Sequence, residues 1–374
     1  MSNWKLVRLN FGRNPTHFGE TGIGIEQVSE RVRSDTLFSA WMTAYARLIE
    51  RPSIKDFLDD FPTSGQNCSN QAPSFSISST FVYREKDGML IYYLPRPIKL
   101  PGNYPAGKDD LPFSKTFRKL KYLPLTIWRD WYQADGFLEC DRTQLIAKTQ
   151  NKEEDFKGLG LDVAGTFDYD QSFQKQINPK VAIDRTTRAT NFYHTGFTQF
   201  RWDEGDRSGL YFLLNMPSAD HALETRLEAC LRFLGEEGLG GERSSGAGRF
   251  NVEYWGNLPP EWEGIINFQQ GNHYSLISLF WDSSITADWL GESAQYTLQE
   301  RGGWIASPFS GRQLRRQMIR MFSEGSVFPQ EPQGQLADVT PPEFIREDGT
   351  RIPHPFYRNG IAVSLPVKLR ENTA

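Results

Sequence analysis

The glycine-rich segment from Gly235 to Phe250 constrains the fold of this chain more than any other part of the sequence. It reads GEEGLGGERSSGAGRF and holds six glycines, two serines and two arginines. Glycine adopts positive φ angles and lets a second backbone approach closely, so successive N–H groups can point at an anion, to which serine and arginine add donors. This composition predicts a phosphate-binding loop. The alternative is that the glycines only end a helix and turn the chain.

The flanks of the segment restrict the kind of phosphate it can bind. Before it, Leu223, Leu227, Leu231 and Leu234 recur on one face of a predicted helix, and after it a strand is predicted at 249–255. A P-loop requires a GK[ST] sequence, which is missing here, and a dinucleotide fingerprint requires a strand before its glycines and a helix after them. The order helix, loop, strand therefore disfavours nucleotide cofactors, and no cofactor is predicted.

The remaining periodic segments predict an α+β fold. Apolar and polar residues alternate in the first strand, and the next helix has Ser34 or Asp35 placed as its N-cap. Together the elements form β-α-β-β followed by a strand, a helix and a strand, which is compatible with a ferredoxin-like or RRM-like sheet. The aromatic stripes at Trp41 with Tyr45 and at Tyr211 with Phe212 are predicted to be core. The predicted strands cover 4–11, 75–83, 89–94, 209–216 and 249–255.

The chain length of 374 residues favours two domains. Irregular sequence rich in Pro, Gly and charge at about 95–206 is interpreted as a long insertion in a first domain at 1–256. A smaller RRM-like domain is predicted at 257–374. Its predicted elements are strands at 274–281 and 361–368 with a basic segment at 312–322 between them.

The charge and cysteine content restrict the class of protein. The net charge is −4, so any nucleic-acid contact must be local rather than spread over the whole surface. The three cysteines are far apart without a CxxC pair, so neither a disulfide framework nor a metal site is predicted. The N-terminus has no apolar h-region and no apolar run approaches the length of a membrane span, which predicts a cytoplasmic protein without a membrane partner.

The loop sequence GLGGERSSGAGRF after an amphipathic helix resembles the G-rich loop of the RAMP superfamily of CRISPR effector subunits. Further segments are similar to motifs of the fourth subunit of type III-A (Csm) complexes, in the Cas-five group. These segments follow the family order along nearly the whole chain. They are 17–20 (HFGE), 33–40 (RSDTLFSA), 181–188 (VAIDRTTR), 321–328 (MFSEGSVF) and 354–360 (HPFYRNG).

The resemblance implies two ferredoxin-like/RRM-like RAMP domains with a thumb-like insertion in the first. It also implies a non-catalytic subunit of a type III antiviral ribonucleoprotein that binds the 5′ handle of the CRISPR RNA. The implied protein partners are the large signalling, polymerase-like subunit and the backbone RAMP subunit. The predicted RNA-binding residues are His17, Gly19, Ser34, Arg185, Thr186, Arg188, Gly241, Arg243, Ser244, Ser245, Gly246, Arg249, Arg320, Ser323, Gly325, Ser326 and His354.

Each group of candidates also has a structural alternative. His17 is predicted to contact a base or phosphate, with a surface histidine and a general acid or base of RNA cleavage as alternatives. The two arginines at 185–188 suit phosphate because their planar forks bind two oxygens, or else they form a solvated face. Arg320, with Arg315 and Arg316, lies either on a basic helix face touching RNA or on a solvated one. The residues at 323–326 either form a turn or bind phosphate through their backbone, and His354 either contacts RNA or packs.

Two other functions remain open from the sequence. One is a metal-independent endoribonuclease that cuts CRISPR repeat RNA with His17, although no second acid/base partner is apparent. The other is a protein-interaction module without RNA contact, which the acidic balance favours.

Overall fold

The computed structural model describes most of the chain, namely residues 3–19, 26–49, 54, 57–64, 72–105, 111–305, 314–343 and 355–369. The helices are α1 (Ser34–Leu48), α2 (Leu111–Lys119), α3 (Leu125–Tyr132), α4 (Glu139–Thr149), α5 (Gly160–Val163), α6 (His221–Glu237) and α7 (Pro260–Ile266). The strands are β1 (Trp4–Asn10), β2 (Ser76–Ile77), β3 (Phe81–Lys86), β4 (Met89–Pro95), β5 (Tyr122–Pro124), β6 (Phe173–Ile183), β7 (Thr190–Phe200), β8 (Trp202–Asp203), β9 (Asp206–Asn215), β10 (Asn251–Asn257), β11 (His273–Leu276), β12 (Leu298–Arg301), β13 (Ile319–Phe322), β14 (Val327–Phe328), β15 (Leu336–Asp338), β16 (Tyr357–Asn359) and β17 (Ser364–Val367).

The largest sheet has the strand order β10-β1-β9-β3-β4-β5, and β2 and β8 also pair with β9. All of these pairs are antiparallel. Along the chain its inner part runs β1, α1, β3, β9, α6, β10. The alternation in β1 places Val7 and Leu9 against α1 and α6 and places Leu6 on the opposite face, and all three are fully buried. The predicted first strand, first helix, 209–216 strand and second helix are confirmed.

The predicted strand at 75–83 is wrong in its continuity. The chain leaves the ladder at 78–80 and separates β2 from β3. The reason is local side-chain chemistry: the Ser78 hydroxyl accepts the Leu213 N–H (2.9 Å), and the Thr80 hydroxyl donates to the Val32 carbonyl (2.9 Å). Serine and threonine hydroxyls compete with the backbone for hydrogen bonds in this way. A turn at Asp87-Gly88, with φ angles of 53° and 81°, joins β3 to β4.

The segment at 95–206 has an irregular sequence pattern but contains regular secondary structure that the pattern did not predict. It contains α2 to α5 and a two-stranded hairpin in which eleven residues of β6 pair with eleven of β7. Large aromatic side chains account for the short helices, because Phe117, Trp128 and Trp131 are all buried in one cluster. Such rings bury much area each and compensate for the few turns of each helix.

The opposite face of the large sheet is covered. Tyr211 and Phe81 of the sheet share a core with Trp262 of α7, Trp131 of α3 and Leu365 of β17. The aromatic stripes predicted to be core are confirmed as buried. An RRM stacks bases on its open sheet face, and the corresponding face of this sheet is covered.

The last third of the chain forms a three-stranded sheet, β14-β11-β17, and two pairs, β12-β13 and β15-β16. The strand predicted at 274–281 ends early at Leu276, and the predicted 361–368 strand is observed as β17. The interpretation of the basic segment as a helix is wrong over 314–322. Arg315 forms a backbone β-bridge with Trp304, and strand β13 follows. Across the described ranges, none of the helices has the length and apolarity needed to cross a membrane.

Candidate RNA-binding site

The glycine-rich loop folds back on the helix that precedes it. Asp220 caps the start of α6, its carboxylate accepting the N–H groups of Ala222 and Leu223 (both 2.9 Å). The helix ends at Gly238, whose φ of 91° suits glycine. The Leu239 N–H then donates to the Gly248 carbonyl (2.9 Å), which closes the loop. A short 3-10 turn, Arg243–Ser245, forms its exposed tip.

Three glycines of the loop, at positions 240, 241 and 248, let it lie directly on the loop after β1. The Gly241 N–H donates to the His17 carbonyl (2.9 Å), and the Gly248 N–H donates to the Pro15 carbonyl (2.8 Å). A Cβ at position 240 would lie 2.5 Å from the His17 carbonyl oxygen, and one at position 241 would lie 2.6 Å from Cδ2 of the His17 ring. These glycines therefore serve close packing of two loops, and the N–H groups of Gly241 and Gly248 are used inside the protein.

His17 joins the two loops to the β6–β7 hairpin. Its Nδ1 lies 2.8 Å from the Gly196 carbonyl oxygen, which can only accept, so the proton is assigned to Nδ1. The ring meets Phe197 edge-on, and the residue is only 8% exposed. The alternative of a surface histidine is wrong, since the side chain is largely buried. Gly19, two residues on, is exposed.

The hairpin also touches the tip of the glycine-rich loop. Lys180 of β6 forms an ion pair with Glu242 and lies 3.4 Å from the Ser245 hydroxyl. This pair lowers the pKa of Glu242, because the Lys180 ammonium donates a hydrogen bond to the carboxylate. Neither Lys180 nor Glu242 was predicted from the sequence. Their side chains fix where the hairpin stands relative to the loop.

The predicted arginine segment forms the turn of the hairpin. The Asp184 carboxylate accepts the N–H groups of Thr186 (2.8 Å) and Thr187 (2.7 Å), and these bonds lower its pKa. Arg185, Thr186 and Arg188 are all exposed. Arg243, Ser244, Ser245 and Arg249 of the loop are exposed as well, and Gly246 at its end is half-buried with a φ of 87°.

The motif at 33–40 has a different role from the predicted one. Arg33, not Ser34 or Asp35, is the N-cap residue of α1, and it makes no side-chain cap. Ser34 is fully buried, where its hydroxyl accepts the Leu279 N–H (3.0 Å) and leaves no surface for a phosphate. Arg33 reaches Glu324 of the motif at 321–328 (2.5 Å). The motifs at 33–40 and 321–328, which both contain predicted RNA-binding residues, are therefore in contact with each other.

Glu324 is the centre of a buried ionic cluster. Its carboxylate accepts two hydrogen bonds from Arg31 (2.9 and 3.0 Å), one from Arg33, and one from Ser79. Burial raises the pKa of Glu324, but the two guanidinium groups outweigh it and hold the pKa far below its usual range.

Asp35 forms the second half of the cluster. It accepts two hydrogen bonds from Arg301 (2.9 and 3.0 Å) and one from Arg358 (2.5 Å), and it is fully buried. Burial raises its pKa, while Arg301 and Arg358 outweigh burial and lower the pKa to about 2. The cluster therefore ties α1 to the last third of the chain. The sequence signal for this cluster was the presence of charged residues in the motifs at 33–40, 321–328 and 354–360.

The remaining C-terminal candidates are mostly enclosed. Ser326 is fully buried, with its hydroxyl accepting the Thr297 N–H (3.1 Å), and Gly325 donates its N–H to the Leu276 carbonyl (2.8 Å). The turn interpretation of 323–326 thus fits the structure, and Ser323 is half-buried. Arg320 is exposed and bonded to Glu300 (3.2 Å). The last candidate, at position 354, lies outside the described residues.

The structure thus brings together His17, the glycine-rich loop and the hairpin. Ser34 and Ser326 are not part of this group, because both are fully buried. Among the described side chains, no group of three or more His, Cys, Asp and Glu residues is placed to hold a metal ion. The site therefore presents exposed arginines and serines on a scaffold of closely packed glycines.

The fold is a mixed α/β arrangement with antiparallel sheets and a glycine-rich loop after α6. A chain of the crystal structure of a Csm3-Csm4 subcomplex from a type III-A CRISPR-Cas interference complex has a similar fold, with a TM-score of 0.57 over 97% of this chain and 99% of that one, at 18% identity.

The more particular comparison is with Csm4 proteins. Residues 269–367 match the family model of the CRISPR Csm4 C-terminal domain. The chain is 24% identical to the CRISPR system Cms protein Csm4 of Methanocaldococcus jannaschii, covering 94% of each sequence. It is 26% identical to that of Thermococcus onnurineus, covering 81% of this chain and 83% of the relative. The resemblance to the fourth subunit of type III-A complexes is confirmed.

Proposed function

We propose that this chain is a non-catalytic subunit of a type III CRISPR complex that binds the 5′ handle of the CRISPR RNA. The observation that carries the proposal is the surface where the glycine-rich loop meets the hairpin. Exposed Arg243 and Arg249 of the loop share this surface with the hairpin strand that holds Lys180. Arginine forks bind phosphate in two-oxygen geometry, and loop serines add donors.

The same geometry argues against cleavage by His17. A general acid or base must reach the proton that it transfers. His17 is largely buried and its Nδ1 proton is bonded to the Gly196 carbonyl. Its position fits packing under the RNA-binding surface better than chemistry upon it.

The proposed architecture is two ferredoxin-like/RRM-like RAMP domains, 1–256 and 257–374, with the hairpin as the thumb of the insertion. The strand order β10-β1-β9-β3, with α1 and α6 on one face, supports a βαββαβ unit in the first domain. The proposal of a second domain is supported by the three-stranded sheet in the last third of the chain and by the match of residues 269–367 to the Csm4 C-terminal family model.

We also propose that the chain links a large subunit to a backbone RAMP subunit. A face of the projecting hairpin supports an assembled state, because Ile177, Val181, Ile183 and Phe192 are all more than half exposed there. Alternate β6 residues and their partners on β7 share this face. Contiguous exposed apolar side chains mark interaction surfaces. The solved relative belongs to a Csm3-Csm4 subcomplex, which agrees with a RAMP partner.

The RNA proposal is tested with the double variant Arg243→Gln/Arg249→Gln and RNA of the host CRISPR repeat. We expect affinity to fall for any sequence, and the slope of log K against log salt to flatten by about 0.7 for each phosphate that the loop no longer neutralises. The double variant Arg118→Gln/Arg129→Gln removes the same charge from exposed positions on α2 and α3 and is the matched control. Equal affinity and equal slope in the two double variants would show that the loop does not grip RNA.

The assembly proposal is tested by isolating the tagged chain from its host. CRISPR RNA with protected 5′ ends should be recovered with two protein partners. Recovery of the partners with no RNA crosslinked to this chain would instead support a protein-interaction module.

A further inference from the structure

Among the described residues, the cluster that joins α1 to the last third of the chain contains five guanidinium groups and two carboxylates. Its two carboxylates, Asp35 and Glu324, already accept hydrogen bonds from four guanidinium groups. A fifth guanidinium, that of Arg316, adds a positive charge at the edge of the cluster. The five arginines are Arg31, Arg33, Arg301, Arg316 and Arg358.

The backbone of Arg316 is hydrogen-bonded, whereas Nε of its side chain has no acceptor among the described residues. Its N–H donates to the Gly303 carbonyl (2.9 Å). Its Nε atom is buried and has no hydrogen-bond partner within the described part of the chain, and the same is true of Nε of Arg358. Two guanidinium groups of one cluster therefore keep unused, buried donors.

The electrostatics agree with this geometry. Burial lowers the pKa of Arg316 to about 10, and repulsion from Arg358 and Arg301 contributes to this fall against the attraction of Asp35. Burial likewise lowers the pKa of Arg358. Uncompensated buried charge with unfilled donors is costly, and an oxyanion removes both costs at once. Arginine is suited to this because its planar fork matches phosphate oxygens.

We propose that Arg316, with Arg358 beside it, forms a phosphate-binding site in the last third of the chain, separate from the glycine-rich loop. The site takes a phosphate oxyanion, and its neighbours favour a phosphate carried by a nucleic acid. Trp304 forms a backbone β-bridge with Arg315. Its side chain is 44% exposed, and the centre of its ring lies 4.6 Å from the Arg315 guanidinium. An exposed ring next to a cationic site stacks bases of single strands.

The inference does not depend on the proposed CRISPR function, because it is tested first with inorganic phosphate alone. Thermal unfolding is followed in chloride buffer and in phosphate buffer of equal ionic strength for the whole chain. Arg316→Met is compared with Arg315→Met, which removes the same charge from an exposed position. In chloride, Arg316→Met should melt at or above the wild-type temperature, because it removes a repelled charge.

In phosphate, we expect Tm of the wild type and of Arg315→Met to rise with concentration, as ligand binding to the folded state requires, while Tm of Arg316→Met stays constant. An equal rise in all three proteins would overturn the site. So would a large loss of Tm for Arg316→Met in chloride with no phosphate response in the wild type, because the guanidinium would then already have an acidic partner within the chain.

A conservative variant keeps the test open if Arg316→Met does not fold. Arg316→Lys retains the charge without the fork, so about tenfold more phosphate should be needed for half of the Tm rise. An unchanged phosphate requirement would contradict a site built on Arg316. The loop variant Arg243→Gln/Arg249→Gln should keep the full phosphate response, which separates failure of this site from failure of the RNA proposal.

The source of the phosphate is distinguished with a single-stranded RNA oligonucleotide. If the phosphate belongs to RNA, Arg316→Met weakens RNA binding and lowers the salt slope by about 0.7. If RNA binding is unchanged while the response to inorganic phosphate disappears, the site stands as one for small phosphates and the nucleic-acid assignment is overturned.

Discussion

Replacing Asp35 by Asn tests the buried ionic cluster directly. Asp35 is fully buried, and its carboxylate accepts two hydrogen bonds from Arg301 and one from Arg358. The amide removes the negative charge that these two guanidinium groups share. Breaking a buried pair by removing one partner costs about 3–5 kcal/mol, because the other charge stays buried without compensation.

The pKa of Asp35 gives an independent magnitude. It falls from 3.8 to about 2 despite burial, which raises it, because Arg301 and Arg358 favour the carboxylate. At about 1.4 kcal/mol for each pKa unit, the folded state prefers charged Asp35 by roughly 2 kcal/mol. Both figures predict a Tm lowered by several degrees, at roughly 2 °C for each kcal/mol in a chain of this size.

The assay is thermal unfolding followed by circular dichroism from neutral pH down to about pH 2. A lowered pKa stabilises the fold fully above the unfolded value near 4, and this contribution is lost as the pH falls toward about 2. The Tm difference between wild type and Asp35→Asn should therefore be constant at neutral pH and narrow below about pH 4.

The matched control is Asp203→Asn, the same chemical change in an exposed pair. Asp203 lies 3.2 Å from Arg201, and the two side chains are 64% and 35% exposed. Exposed pairs contribute about 0–1 kcal/mol. A Tm for Asp35→Asn within about 2 °C of the Asp203→Asn value would refute the account of the cluster, taking roughly 1 kcal/mol as the resolving limit.

Two further predictions concern the loop region. Gly241→Ala should destabilise the chain by about 1–3 kcal/mol in chemical denaturation, because its Cβ would lie 2.6 Å from the His17 ring. The control is Gly264→Ala on α7, where a Cβ meets nothing within 4 Å, and this variant should be neutral or slightly stabilising. An equal loss of stability in both variants would contradict the packing argument. Repeat RNA incubated with the protein and EDTA should give no defined product, because His17 is buried and bonded to Gly196; a product that disappears in His17→Ala would establish the endoribonuclease alternative.

The glycine-rich loop shows how far composition alone can lead. Its position between helix and strand followed from the leucine spacing before it and the pattern after it, and the structure has both. The exposure of Arg243 and Arg249 agrees with the predicted phosphate contact, which stays a prediction. The role of Gly241 could not be predicted, since the loop that it packs against, at His17, lies far earlier in the chain.

The helices within residues 95–206 were not predicted, for a related reason. These helices are short and rich in aromatic residues, so no long amphipathic period marks them. Trp128 and Trp131 gain their stability from β17 and from the covered face of the large sheet. Propensity and periodicity report local preference, whereas tertiary packing provides most helical stability.

The sequence by itself determined the local elements, namely the alternating first strand, the leucine-faced helix, the glycine-rich loop and the order of the family motifs. Only the tertiary structure decided what those motifs do. Asp35 meets Arg301 across 266 positions and Arg358 across 323, and this buried ionic contact joins α1 to the last third of the chain. The physical reason is that periodicity is set by neighbours along the chain, whereas burial and charge pairing are set by residues that folding alone brings together.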